Sequence, residues 1–203
     1  MVVPGRINFT QLGRYGKHGE QCYRQNFGRR RSKSINWLRF NISLALRYFG
    51  EVGRMAIAID PNFISKAGKK TPHIGRFWSG CAGAVKHGLE IMGKAYTLLA
   101  YSKSLRTRFQ IEFCYRDAKN YTGLMDCQAR APWKLDFAFN ASFASLNITK
   151  LMMKERGMDY SMSNFKALMA GTFLTKRIFD VSRYRPNQTL INHIFKELFG
   201  CAA

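Results

Sequence analysis

Two carboxylates and a group of cations are the residues whose types and spacing could do chemistry together. Asp60 ends the apolar run Met55-Ala-Ile-Ala-Ile59, the pattern of a buried strand that delivers a carboxylate at its C-terminal tip. Glu112 lies in a stretch from Leu98 to about Tyr121 that has few breakers and reads as a long helix. At about 100° per residue, Glu112 lies about 40° around the helix from Arg108, Lys119 about 20° and Arg116 about 80°. The first three share a face and Arg116 flanks it. A carboxylate between cations can bind a divalent metal while the cations hold phosphates. Each feature also has an ordinary reading. Asp60-Pro61 favours a turn, and the helix face could be an exposed stripe of ion pairs. On spacing alone the ordinary readings lead.

The charge balance narrows the partner. The chain has 33 Lys and Arg against 12 Asp and Glu, a formal net charge of +21. Such a field favours a polyanion, and nucleic acid leads because each neutralised phosphate releases counterions. A basic structural RNA-binder fits the same composition. No run approaches the roughly 20 apolar residues of a membrane span, and no basic amphipathic helix suggests a membrane surface. At 203 residues and 46% hydrophobic, the chain can bury a sizeable core. Cys22, Cys81, Cys114, Cys127 and Cys201 are odd in number, widely spaced and without a CxxC pair. They fit reduced thiols better than a zinc site or a disulfide framework. His18, His73, His87 and His193 match no metal spacing.

The elements that must position these groups follow from periodicity and breakers. Residues 1–34 are polar and basic, ending in the run Arg29-Arg30-Arg31, and read as a solvated arm able to touch phosphates nonspecifically. Ile35, Leu38, Ile42, Leu46 and Phe49 mark an amphipathic helix over 35–49. The strand at 55–59 is followed by a basic loop over 62–80 and a second strand at 84–93, antiparallel to the first. Beyond the Glu112 helix, a helix from Trp133 to Met153 is expected. Another, capped by Ser161, runs to about Val181, and a short last helix follows Pro186-Asn187 and stops at Gly200. Trp37, Trp78 and Trp133 are expected in or near the core, with base stacking the alternative. The Met-rich stretch 152–169 is expected to fill core gaps.

Residues 106–130, RTRFQIEFCYRDAKNYTGLMDCQAR, resemble the signature segment of bacterial insertion-sequence DDE transposases of the insertion-sequence-four type. That group carries Tyr, Arg, Glu and Lys at fixed spacing. Arg108, Glu112 and Lys119 match the last three, and the Tyr position falls on Leu105. Residues 55–91 resemble the region around the first catalytic Asp, which Asp60 matches. VPGRINFTQLGRY and APWKLDFAFNASFASLNITK are similar to the same family, so the resemblance spans most of the chain.

The resemblance implies an RNase H-like fold, an Asp-Asp-Glu site holding two Mg²⁺ or Mn²⁺ ions, and in-line displacement at DNA ends. It implies Asp60 and Glu112 as catalytic and metal-binding residues. Lys69, Lys70, Arg76, Arg108, Arg116 and Lys119 are the expected DNA contacts. DNA carrying the element ends is the expected partner, with a homodimer or a mixed complex with an intact transposase, in a bacterial cytoplasm at the nucleoid.

One ligand is missing from that set. The single acidic residue between Asp60 and Glu112 is Glu90, which belongs to the second strand. Gly93 and Glu112 are separated by 18 residues. A third strand, a crossover helix and a fourth strand do not fit, since a crossover alone takes roughly a dozen residues. The expectation is therefore a truncated RNase H-like α/β core over 35–130, followed by an α-helical C-terminal region over 131–203. The implied function is that of a DDE-type transposase with impaired catalysis, or of a noncatalytic DNA-binding regulator derived from one.

Overall fold

The structure is a computed structural model describing residues 3, 5–29, 35–50, 55–68, 71–79, 82–98 and 105–182, with isolated positions 187, 189, 190, 193 and 197. Side chains are described for all of these except 55–58, 93–98 and 105–110. Among the described residues it is a mixed α/β fold of six helices and one antiparallel sheet of three strands. The elements are α1 (Phe9–Tyr15), α2 (Glu20–Gly28), α3 (Trp37–Phe49), β1 (Met55–Ser65), β2 (Gly75–Ser79), β3 (Ala84–Leu98), α4 (Leu105–Tyr121), α5 (Pro132–Glu155) and α6 (Met162–Ser182).

The helix starts have local causes. The Asn8 side chain accepts the Gln11 N–H at 2.9 Å to open α1, and Asn36 does the same for Arg39 at 2.9 Å to open α3. Ser161 accepts the Asn164 N–H at 3.1 Å ahead of α6, the cap anticipated from the sequence. Pro132 stands in the first turn of α5, where its missing N–H has no intrahelical partner to lose. After α4 the chain turns at Gly123, with φ of 78°. A Cβ there would meet the Ile7 side chain at 3.0 Å, so both backbone and packing require glycine.

In the sheet, strand order is β1-β3-β2. β1 and β3 pair from Met55 with Leu98 to Ser65 with Gly88, and β2 pairs with the first part of β3. A Cβ on Gly88 would lie 2.2 Å from the Ile64 carbonyl and 2.4 Å from the Phe63 ring, so this crossing point admits no side chain. Alternation places Asp60, Asn62 and Ile64 on one face of β1, level with Gly93, Ile91 and Leu89 of β3. This face carries the core. Ile64, Ile111, Tyr115, Ala118, Leu124, Leu146 and Met162 form one buried cluster joining β1, α4, α5 and α6. On the other face Ile59 and Met92 are exposed.

α5 is the central helix. It packs against both α3 and α4. Asn147 donates to Asn41 at 2.8 Å, and Arg47 binds Glu155 at 2.6 Å, across α3 and α5. Thr122 and Ser142 share a hydroxyl–hydroxyl bond of 2.8 Å. A ladder of edge-on rings runs Phe9, Phe27, Phe137, Trp37 and ties α1, α2 and α3 to α5.

Several expectations change. Residues 9–28 are not simply an arm but form two helices, whose few apolar side chains become ordered by meeting α5 and α6. Asp60 is not at a strand tip, because β1 continues through Pro61 to Ser65. As the outermost strand beside β3, β1 can carry a proline that donates no ladder bond. The expected loop 62–80 holds the end of β1 and all of β2, giving three strands in place of two. α4 begins at Leu105, since β3 extends to Leu98. Trp78 is 68% exposed rather than core, whereas Trp37 and Trp133 are half-buried. Cys22, Cys114 and Cys127 are free thiols, and Cys81 and Cys201 lie outside the described residues. Most of the expected last helix also lies outside them.

Candidate carboxylate and phosphate site

The site is built where α4 crosses β1. The Tyr115 hydroxyl donates to the Asp60 carbonyl at 2.7 Å and lies 3.1 Å from the Ile91 carbonyl on the neighbouring strand. Four residues later, Lys119 Nζ donates to Asn62 Oδ1 at 2.5 Å and to the Phe63 carbonyl at 3.2 Å. Residue numbers rise together along both elements, so α4 runs in the same direction as β1. Glu112 precedes Tyr115 by three residues, about 4.5 Å along the helix axis. Its position therefore lies beside the part of β1 that leads into Asp60.

Asp60 is half-buried and Glu112 exposed. Asp60 shares its strand face with Ile64, which packs on α4. Glu112 and Lys119 lie within about 20° of one another around α4. The structure thus brings the neighbourhoods of Asp60, Glu112 and Lys119 together at one helix–strand contact. Tyr115 and Asn62, which hold that contact, were not singled out in the sequence. The available signal was that Tyr115 stands one turn from Glu112, on the side of the helix that carries Ile111 and Ala118.

The expected cations are not gathered equally. Arg116 is exposed, lies 3.0 Å from Asp117 Oδ1, and stacks over Phe113 with its guanidinium carbon 4.7 Å from the ring centre. Arg76 donates to His87 Nε2 at 3.3 Å. It sits on the Asp60 face of the sheet, but its register partner His87 is six positions along β3 from Gly93, the partner of Asp60. Six strand residues span about 20 Å, so Arg76 stands apart from the carboxylates. The Arg108 side chain, Lys69 and Lys70 lie outside the described residues.

The carboxylate set does not fit a two-ion centre. Among the described residues no group of three or more His, Cys, Asp or Glu side chains is placed to hold a metal. Glu90 does not fill the gap. It pairs with Phe63 and points to the face opposite Asp60. Asp117 is buried and held by Arg116, about 140° around α4 from Glu112. Between β3 and α4 there are only residues 99–104, too few for a further strand and crossover. The site offers two carboxylate positions beside cations, and no reaction step through a metal follows from it.

Below the sheet, Lys66 Nζ donates to the Cys127 carbonyl. Burial holds its ammonium below the ordinary lysine pKa, and the nearby Cys127 thiol opposes that shift. This lysine ties the end of β1 to the loop before α5. No helix among the described residues is long and apolar enough to cross a membrane. No protein-family model, curated protein or solved structure matches the chain.

Proposed function

We propose that this protein binds DNA through a surface inherited from a DDE-type transposase of the insertion-sequence-four type, with a carboxylate set too small for full strand cleavage. The observation that carries the reading is the lengthwise contact of α4 with β1. It puts the Arg-Glu-Lys helix beside Asp60, with Tyr115 and Lys119 bonded to that strand. The net charge of +21 supports a polyanionic partner. The RNase H-like assignment rests on the sequence resemblance and is part of the proposal. So are element-end DNA as ligand, association with the nucleoid, and a homodimer or a mixed complex with an intact transposase.

The shortfall of one carboxylate favours a noncatalytic regulator of transposition over an active transposase. Without a third ligand, much of the charge stabilisation that two ions give a phosphoryl transition state is lost. The test is cleavage and strand transfer on labelled DNA carrying candidate element ends, with Mg²⁺ or Mn²⁺, beside Asp60→Ala and Glu112→Ala. The expected result is salt-sensitive binding without cleavage. Cleavage abolished by either substitution would overturn the regulator reading, and absence of DNA binding would overturn the proposal itself.

A further inference from the structure

A cleft of about 900 Å³ lies at the other end of α4 from Glu112. One wall is the N-terminal segment around Ile7 and Phe9 with α2. The other is the loop after α4, together with α5 and α6. Tyr121, which lines it, is nine residues past Glu112, about 13 Å along the helix axis. The volume is within the usual range for small-molecule sites, roughly 300–1,000 Å³.

Its lining combines rings with excess positive charge. Arg6, Arg24, Arg130, Lys134 and Lys166 face a single lining carboxylate, Asp126. Two of these cations have carboxylate partners: Arg24 binds Glu20 at 2.5 Å, and Arg6 lies 3.7 Å from Asp126. Arg130, Lys134 and Lys166 make no ion pair among the described residues. Lys134 stands over the rings of Phe27, at 5.6 Å, and Trp133, at 5.1 Å. Lys166 donates to the Tyr121 carbonyl at 3.2 Å, and burial holds its pKa below the ordinary lysine value. An anion beside Lys166 would relieve that desolvation. Phe27 and Phe137, half-buried and edge-to-face at 5.8 Å, supply apolar surface next to these cations. A purely apolar ligand would leave Arg130 and Lys134 without an ion-pair partner and Lys166 with only the charge of Asp126, and a bare anion would leave the ring-lined wall unused.

We infer that this cleft binds a nucleotide unit, its base against the Phe27 and Phe137 wall and its phosphate between Arg130, Lys134 and Lys166. The choice of anion rests on the nucleic-acid reading, but the site uses neither Asp60 nor Glu112. The unit is either a free nucleotide or one nucleotide of a single strand, which share this chemistry.

The test is equilibrium binding of thymidine, inorganic phosphate, thymidine 5′-monophosphate and a short single-stranded thymidine oligonucleotide to the full chain. Duplex DNA is measured in parallel. Two variants are compared with the parent: Ala141→Phe, which fills the cleft and leaves the charge unchanged, and Lys134→Met, which removes one cation. Thymidine 5′-monophosphate is expected to bind more tightly than thymidine or phosphate alone. Ala141→Phe is expected to weaken it at least tenfold with duplex binding unchanged, and Lys134→Met to weaken it by about tenfold, as for loss of a charged contact. Further tightening by the oligonucleotide assigns the site to a strand, and equal affinity assigns it to a free nucleotide. Unchanged mononucleotide binding in both variants, or no mononucleotide binding by the parent, overturns the inference. Loss of duplex binding by the parent overturns the nucleic-acid reading separately. Thermal melting checks the fold, and Lys134→Met decides between the outcomes if Ala141→Phe does not fold.

Discussion

Tyr115 is 2% exposed and its hydroxyl reaches two strand carbonyls. Replacing it with Phe keeps the ring in the core and leaves those carbonyls without this donor. A buried hydrogen bond lost in this way costs about 1–2 kcal/mol, so Tyr115→Phe is expected to lower the free energy of unfolding by that amount in urea titrations. An unchanged midpoint would mean that the Tyr115 hydroxyl adds nothing to the α4–β1 contact, leaving it to apolar packing and the Lys119 bonds.

Lys166 gives a residue-level prediction with a definite sign. Its folded pKa is lowered by burial, with Asp126 opposing. Between the folded value and the unfolded value near 10.5, the unfolded chain binds more protons, so this lysine makes stability rise with pH in that window. Below the window both states are charged, and the cost of burial is felt in full. In Lys166→Met this contribution is absent. Parent and variant should therefore diverge in the parent's favour as pH climbs toward 10.5, measured as the difference in unfolding free energy from neutral to alkaline pH. A difference that stays flat, or moves the other way, removes Lys166 as a buried cation.

At the scale of elements, the N-terminal helices are held by few ties. Asp126 Oδ2 accepts the Ile7 N–H at 2.6 Å, and its other oxygen lies 3.7 Å from Arg6. Gly123 lies against Ile7 in the same turn. The Phe9–Phe27–Phe137 ring contacts supply apolar attachment. Asp126→Ala removes the polar pin and leaves the rings, so the loss is expected to be local. Limited proteolysis should cut within residues 1–29 several times faster in Asp126→Ala, while fragments spanning α4 to α6 persist. Equal cutting rates would show that the Asp126 contacts are not what attaches α1 and α2, leaving the ring contacts and the Arg177 bond to the Arg14 carbonyl. In the sheet, helices cover one face, and Ile59 and Met92 are exposed on the other. Three strands with one covered face lean on the helices for their stability. Amide hydrogen exchange is expected to show weaker protection over 62–98 than over 132–155, and the reverse order would count against this dependence.

The whole molecule is dominated by its charge. If the proposed DNA binding holds, a net charge of +21 makes duplex affinity fall steeply with salt. Neutralising about six phosphates gives a slope of roughly −5 in log K against log salt. A slope near zero, measured between about 50 and 200 mM salt, would show that charge is not the source of affinity. The exposed residues Arg76 and Arg116 should lower affinity uniformly across DNA sequences when changed to Gln, because phosphate contacts carry no sequence information. Lys119 is different. Its ammonium is bonded to Asn62 and the Phe63 carbonyl, so Lys119→Met is expected to loosen α4 from β1 as well as weaken binding.

Much of this was legible along the chain because it depends on neighbours in sequence. The 3.6-residue repeat over 35–49, the cap at Ser161 and the long breaker-free stretch from Trp133 are local signals, and their helices stand within a few residues of the expected bounds, while the apolar run at 55–59 marks where β1 begins. Asp60 and Glu112 stand out by residue type and spacing, where the ordinary readings lead; their candidate role and the gap where a third carboxylate is expected follow from the resemblance to the transposase family. Contacts between distant segments were not legible. α1 and α2 are short and polar, and their order comes from rings on α5 and α6 more than a hundred residues away. β1 runs past Asp60-Pro61 because β3 pairs with its whole length, a tertiary partner that overrides the local turn preference. Register alone sends Glu90 to the face opposite Asp60, since one position along a strand reverses the side a residue points to. The cleft beside Lys134 forms from segments that meet only in the fold. Chain-local chemistry thus set the helices, the charge and the candidate carboxylates, whereas long-range pairing and packing set which of those groups share a site.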